Sequence, residues 1–310
     1  MKNKSYKFVE GYKRSLTISI VALVVILAAT LIMGVNLDIQ FSGGAIITYS
    51  YDGEIDVAEF AGVAQDVTGS AVAVQQTTHL GADINMETMI VSLPGSLLTE
   101  QINELTEGLQ AAFPDSNIHA EQINNVSASM GREFLLKCLT AILFAFLVMI
   151  VFIAIRFKRI GGLSAGVMSV IGLIHDVAIV FGVHVLFRIP LSGNFIAVVL
   201  TILGYSINDT IVVYDRIREN TRLYGKKLGL AELVDLSINQ SLRRTINTTI
   251  STVAAMTVVA VVAYIFNIGT IVTFAFPMVL GLLTGVYSTI FIAGPLWVRW
   301  RERTRVVAGN

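Results

Sequence analysis

The chain alternates between two kinds of patterning. Six stretches are almost wholly apolar for about 20 residues each, near 15–34, 134–155, 161–187, 193–214, 245–266 and 270–297, the length a helix needs to cross a bilayer. Between the first and second the period changes. "AIITYSY" (45–51), "AVAVQQTT" (71–78), "METMIVSL" (86–93) and "NIHAEQINNVS" (117–127) read as strands. "DVAEFAGVAQDV" (56–67) and "TEQINELTEGLQAAF" (99–113) repeat their apolar residues at helical spacing, with Thr99 the expected N-cap. The order βαββαβ predicts a ferredoxin-like split unit. The expected fold class is a polytopic α-helical membrane protein, with six transmembrane helices and one extracytoplasmic α+β ferredoxin-like domain. Its expected divisions are a terminus at 1–14, a first span at 15–34, the outer domain at 35–131, a five-helix bundle at 132–298 and a tail at 299–310.

Charge gives the direction of threading, because Lys and Arg are retained on the cytoplasmic side. Lys2, Lys4, Lys7, Lys13 and Arg14 precede the first span. From Val35 to Gly131 there is no Lys or Arg, although acids are plentiful. "RFKRIGG", the 215–244 segment with seven basic and four acidic residues, and the tail "RWRERTR" are basic, while "RIPLSGN" and "NIG" are short outer turns. Both termini are thus expected in the cytoplasm and 35–131 outside, with Trp297 and Trp300 at the membrane interface. The first apolar run exceeds a signal-peptide core, and Leu31-Ile32-Met33 makes a poor cleavage site, so a retained anchor is expected.

Composition sharpens this. Of 310 residues, 54% are hydrophobic and 14% charged, with mean hydropathy +0.71, against about a quarter charged in soluble domains. Net charge is zero, which argues against nucleic acid as a partner. Cys138 is the single cysteine, so no intramolecular disulfide or Cys-based metal set can form. His79 and His119 are too few for a metal site in the outer segment, and no cofactor is expected. No P-loop occurs. Tyr214-Asp215 matches half of an intramembrane aspartyl protease signature, but the Gly-x-Gly-Asp half is missing. Enzyme chemistry is set aside.

The candidate chemistry lies in residues that do not belong in lipid. A charge at the centre of a span costs at least about 2.5–3.5 kcal/mol, so it is paired or faces a pathway. Asp209, seven residues before Arg216, is expected roughly 10 Å inside the cytoplasmic boundary. Thr201, Tyr205, Asn208 and Asp209 share one broad face of the fourth span. His175 and Asp176 stand in the outer half of the third. In the fifth, Arg244, Thr248 and Ser251 recur at helical spacing, flanked by Asn247 and Thr252. Such a descending series of titratable groups and hydroxyls suits a proton or ion route. Plainer readings stay open: Arg244 snorkelling to the interface, Asp209 as its buried register-fixing partner, and His175–Asp176 as a bonded pair holding the bundle. Gly162/Gly166 and Gly281/Gly285 have small-xxx-small spacing, and Pro277 is expected to kink the sixth span.

Four segments resemble the SecD/SecF family of protein-export membrane proteins, in order and along nearly the whole chain. They are "GYSINDTIVVYDRIREN" (204–220), "SLRRTINTTIST" (241–252), "LIHDVAI" (173–179) and "LDIQFSGGAI" (37–46). The second places the family's Arg-Thr and Thr-[Ser/Thr] positions on Arg244, Thr245, Thr248 and Thr249. The entry motif departs from the family pattern, with Asp38 for Gly and Gln40 for Asp, and Asn247 replaces an apolar residue. The resemblance implies a half-transporter in the bacterial cytoplasmic (inner) membrane, related to the resistance-nodulation-division superfamily. It implies pairing with SecD, association with the SecYEG channel and YajC, and action on a translocating preprotein under the proton-motive force. In that scheme Asp209 carries the proton, Asn208 hydrogen-bonds it and Arg244 modulates it. His175 and Asp176 are further members, and Tyr205, Asn247, Thr248 and Ser251 form a supporting stripe. The alternatives are a passive scaffold stabilising the translocon, and half of a small-molecule proton-coupled exporter.

Overall fold

The computed structural model describes residues 6–80, 85–266 and 268–308; Lys2, Lys4 and Asn267 lie outside them. In chain order the elements are α1 (Tyr12–Met33), α2 (Ile39–Ser42), β1 (Gly44–Tyr51), α3 (Val57–Thr68), β2 (Ala73–Leu80), β3 (Asn85–Pro94), α4 (Thr99–Ala112) and β4 (His119–Val126). Then follow α5 (Ala128–Arg156), α6 (Gly162–Leu186), α7 (Gly193–Tyr224), α8 (Leu230–Ile265), α9 (Gly269–Tyr287), a π-helical turn (Ser288–Ala293) and α10 (Gly294–Ala308). Six helical units are long and apolar enough to cross a membrane, the last built from α9, the π turn and the start of α10.

The helices outrun the apolar stretches. α7 continues to Tyr224 and α8 starts at Leu230, so the basic 215–244 segment is two helix ends joined by a short turn. That turn shares one end of the bundle with both termini. There Val9 N–H donates to Asp235 Oδ1 at 2.9 Å, and Phe8 packs edge-on to Phe291. Trp297 is not an interfacial anchor. It is 1% exposed in the apolar cluster with Tyr214 and Phe157, its indole N–H donating to Ser164 Oγ at 3.1 Å, while Trp300 is 52% exposed.

At the opposite end the four strands form one antiparallel sheet in the order β2-β3-β1-β4, the arrangement of a ferredoxin-like split unit. β1 turns Ile47, Tyr49 and Tyr51 inward, α3 contributes Phe60 and Ala64, and α4 contributes Ile102, Leu105 and Leu109. Each large apolar side chain buried this way is worth roughly 1.5–3 kcal/mol. Tyr49 keeps its hydroxyl paired, 3.1 Å from Thr106 Oγ1. The cap of α4 is Leu98 rather than Thr99, because the Gln101 side chain reaches back to accept from Leu98 N–H at 2.8 Å.

Sheet and bundle are joined tightly. Only Ser127 separates β4 from α5. Gly43, at φ +81°, lies so close to Ala128 that a Cβ would sit 2.6 Å from its Cα, and Phe41 stacks on Phe134 at 5.6 Å. The two unusual entry residues have structural tasks here. Asp38 caps α2 by accepting from Gln40 N–H, and Gln40 Oε1 accepts from Gly193 N–H at the start of α7, both at 2.9 Å.

Within the bundle, small residues set the crossings. A Cβ on Gly162 would stand 2.2 Å from Ala154 O and one on Gly166 2.9 Å from Ile150 O, which brings α5 against α6. Gly281 and Gly285 do the same for α9 and α7, against Ile202 and Ser206. α9 runs through Pro277, and the departure from α geometry comes later, at Ser288–Ala293. Pro295 has no N–H for the Phe291 carbonyl and its ring crowds that oxygen, so the preceding turn widens to π spacing.

Candidate functional site: a polar seam in the bundle

Where α6, α7 and the π turn meet, polar side chains replace the apolar core. Asp176 is 0% exposed. Its Oδ2 accepts from Ser206 Oγ at 2.9 Å and from Ser288 Oγ at 2.7 Å, and its Oδ1 lies 3.4 Å from His175 Nδ1. The absence of a side chain at Gly285 lets Ser206 approach, and the π turn presents Ser288. From His175 the contacts run on to α1: its ring is 5.8 Å from Tyr287, whose hydroxyl donates to Ser15 O at 2.8 Å and contacts Ser19 Oγ. The third span is thereby tied to the first.

Asp209 sits one turn of α7 beyond Ser206, about 4.5 Å along the axis, at the midpoint of Gly193–Tyr224. Asp209 is 3% exposed and its Oδ2 has no hydrogen-bond partner among the described residues. Arg244 is the charge that acts on it, without a direct ion pair. Beside it, Thr210 Oγ1 reaches Thr289 Oγ1 at 3.0 Å.

On α8 the structure distinguishes two faces. Arg244, Asn247, Thr248 and Ser251 are exposed, and the last two hydroxyls bond back to their own helix, to Arg244 O and Asn247 O. Turned inward instead are Thr245 and Thr249, 1% and 4% exposed, each Oγ1 without a partner among the described residues. Tyr205 donates to Thr252 Oγ1 at 3.2 Å. On α7, Asn208 and Thr201 are exposed as well. Thus Asp176 and His175 meet in the interior, with Asp209 buried one turn of α7 from their partner Ser206, while Asn208, Arg244, Asn247, Thr248 and Ser251 line an outer polar face.

Sequence reading missed Ser206, Thr210, Tyr287, Ser288 and Thr289, whose hydroxyls complete the seam. It also missed the buried His184, whose Nδ1 meets Val180 O at 2.9 Å. Ser206 and Thr210 could have been found from their helical spacing around Asp209; Ser288 and Thr289 carry no such signal, since π geometry shifts their phase. Among the described residues no cluster of His, Cys, Asp or Glu could hold a metal ion. A cleft of about 1300 Å³ opens from the termini end and reaches Asn208 and Arg244.

The profile described as "Protein export membrane protein SecD/SecF, C-terminal" matches residues 106–303. The protein translocase subunit SecF of Alicyclobacillus acidocaldarius is 34% identical over 276 residues, covering 88% of this chain and 85% of that protein. SecF of Rickettsia conorii is 33% identical over 298 residues, covering 96% and 92%. The crystal structure of SecDF, a translocon-associated membrane protein from Thermus thermophilus, superposes with a TM-score of 0.78 at 28% identity. It matches 97% of this chain, which spans only 39% of that longer one. The chain belongs to the SecD/SecF family of protein-export membrane proteins.

Proposed function

We propose that this chain is the SecF-like half of a proton-driven accessory complex of protein export. It pairs with SecD in the bacterial cytoplasmic membrane, with both termini in the cytoplasm and the 35–131 domain outside. Together they use the proton-motive force to promote late steps of preprotein passage through the SecYEG channel, in association with YajC. The observation that carries this reading is Asp209: a carboxylate inside the apolar run of the fourth span, buried, with one oxygen unpartnered among the described residues. Such a group is costly in a membrane unless it has a task.

Two further features support it. Asn208, the neighbour of Asp209, lines a cleft open to the termini end, which gives protons a path to the level of the carboxylate. Thr201, Asn247, Thr248 and Ser251 are exposed at membrane depth, which suits coverage by a second bundle rather than by lipid. In this scheme Asp209 carries the proton, Arg244 biases its charge, and Thr245 and Thr249 offer hydroxyls inside the bundle.

The deciding experiment is Asp209→Asn in a reconstituted SecD and channel system, followed with and without an imposed proton gradient. The expected outcome is normal assembly with the gradient's benefit to export abolished. Export that still accelerates in the gradient would defeat the reading and leave a scaffold whose carboxylate is structural.

A further inference from the structure

We infer that the cleft at the termini end of the bundle binds the phosphate headgroup of an anionic phospholipid from the surrounding bilayer. The cleft, about 1300 Å³, lies between the α5–α6 turn, the last turns of α7 and the first half of α8. Its acids are already engaged. Arg156 and Arg218 lie over the Phe157 ring and share Asp215 at 3.3 and 2.9 Å, and Glu219 holds Arg216 at 2.7 Å. Lys158, Arg159, Arg222 and Arg244 line the same cleft, are exposed, and make no ion pair among the described residues.

Lys158 and Arg159 follow the apolar run of α5 and Arg244 precedes that of α8, the level at which lipid phosphates lie, while Arg222 stands two turns beyond the apolar run of α7. Basic clefts between membrane helices on the basic side attract anionic headgroups, and guanidinium forks match phosphate oxygens. A second bundle packed on α7 and α8 would not neutralise the cleft, because retained loops on that side are themselves basic. Ile155, 73% exposed, stands at the rim among the lining residues. An acyl chain covers it, whereas a free phosphate would leave it bare.

The test is native mass spectrometry of the full chain, alone and with SecD, in detergent carrying either phosphatidylglycerol or phosphatidylcholine. Phosphatidylglycerol is expected to be retained roughly tenfold or more over phosphatidylcholine. A triple variant Lys158→Gln, Arg159→Gln, Arg222→Gln removes that preference, and Lys158→Arg, Arg159→Lys, Arg222→Lys keeps it. Should the triple Gln variant fail to fold, Arg222→Gln alone, at an exposed helix end, is expected to lose part of the preference. Equal retention of the two lipids, or a preference unchanged in the Gln variants, overturns the proposal. So does displacement of the lipid by inorganic phosphate, which would make this a soluble-anion site, or by addition of SecD.

Discussion

Two carboxylates, Asp176 bonded to Ser206 and Asp209 one turn of α7 beyond that serine, live in opposite circumstances. Around Asp176 every neighbour is an answer: two serine hydroxyls donate to one oxygen, and an imidazole stands at the other. Around Asp209 one oxygen is left unpartnered among the described residues, and the charge that acts on it stays at a distance. Both are buried to within a few per cent, so burial alone does not separate a structural acid from a working one. Satisfaction does. A group whose bonds are complete resists a change of charge, while one held short of them leaves room for a proton to come and go.

The difference can be attacked from either side. The largest effect is that of Asp209→Asn, which abolishes the gradient's contribution to export and leaves thermal stability within about 0.5 kcal/mol, since no hydrogen bond of the missing kind is lost. Asp176→Ala does the reverse. It strands the hydroxyl of Ser206, leaves that of Ser288 only its 3.1 Å bond to Gly285 O, and lowers stability by about 2 kcal/mol, read as a fall in the midpoint of thermal unfolding in detergent. Gly285→Ala is milder. Its new Cβ would meet Ser206 Cβ at 3.2 Å, forcing Ser206 away from Asp176 at a cost of about 1 kcal/mol in the same assay. Smallest in stability is Thr245→Val with Thr249→Val, near neutral within about 0.5 kcal/mol because those hydroxyls have no partner among the described residues. Gradient-driven export nevertheless falls in this double variant; undiminished export would detach α8 from the route.

The sequence was most readable where one period rules. Alternation in 45–51 and helical spacing in 99–113 gave the split α+β unit, and runs of bilayer length gave six spans, because burial on a single face or all round leaves a regular trace. It was least readable where two helices share a face. Arg244, Thr248 and Ser251 repeat cleanly, yet it is Thr245 and Thr249, one residue out of phase, that turn inward. Both rows are polar, so periodicity cannot choose between them; only the placement of α7 and α9 does. Ser288 and Thr289 were hidden for another reason. The wide turn ahead of Pro295 breaks the phase on which any helical projection depends. Trp297 looked like an anchor by position along the chain, but its ring packs on Tyr214 and its N–H bonds Ser164, which makes it core.

The junction between sheet and bundle has a mechanical consequence. A strand that passes into a 29-residue helix across one residue has no slack. The segment that leads into β1 is pinned beside it, Gly43 against Ala128 and Phe41 against Phe134. The domain is therefore not a ball on a tether but the handle of a crank, whose shaft is α5. A shaft of that length runs about 43 Å, so rotating or tilting it in the membrane must turn the handle by the same angle, and a load applied to the handle must be felt as torque among the helices.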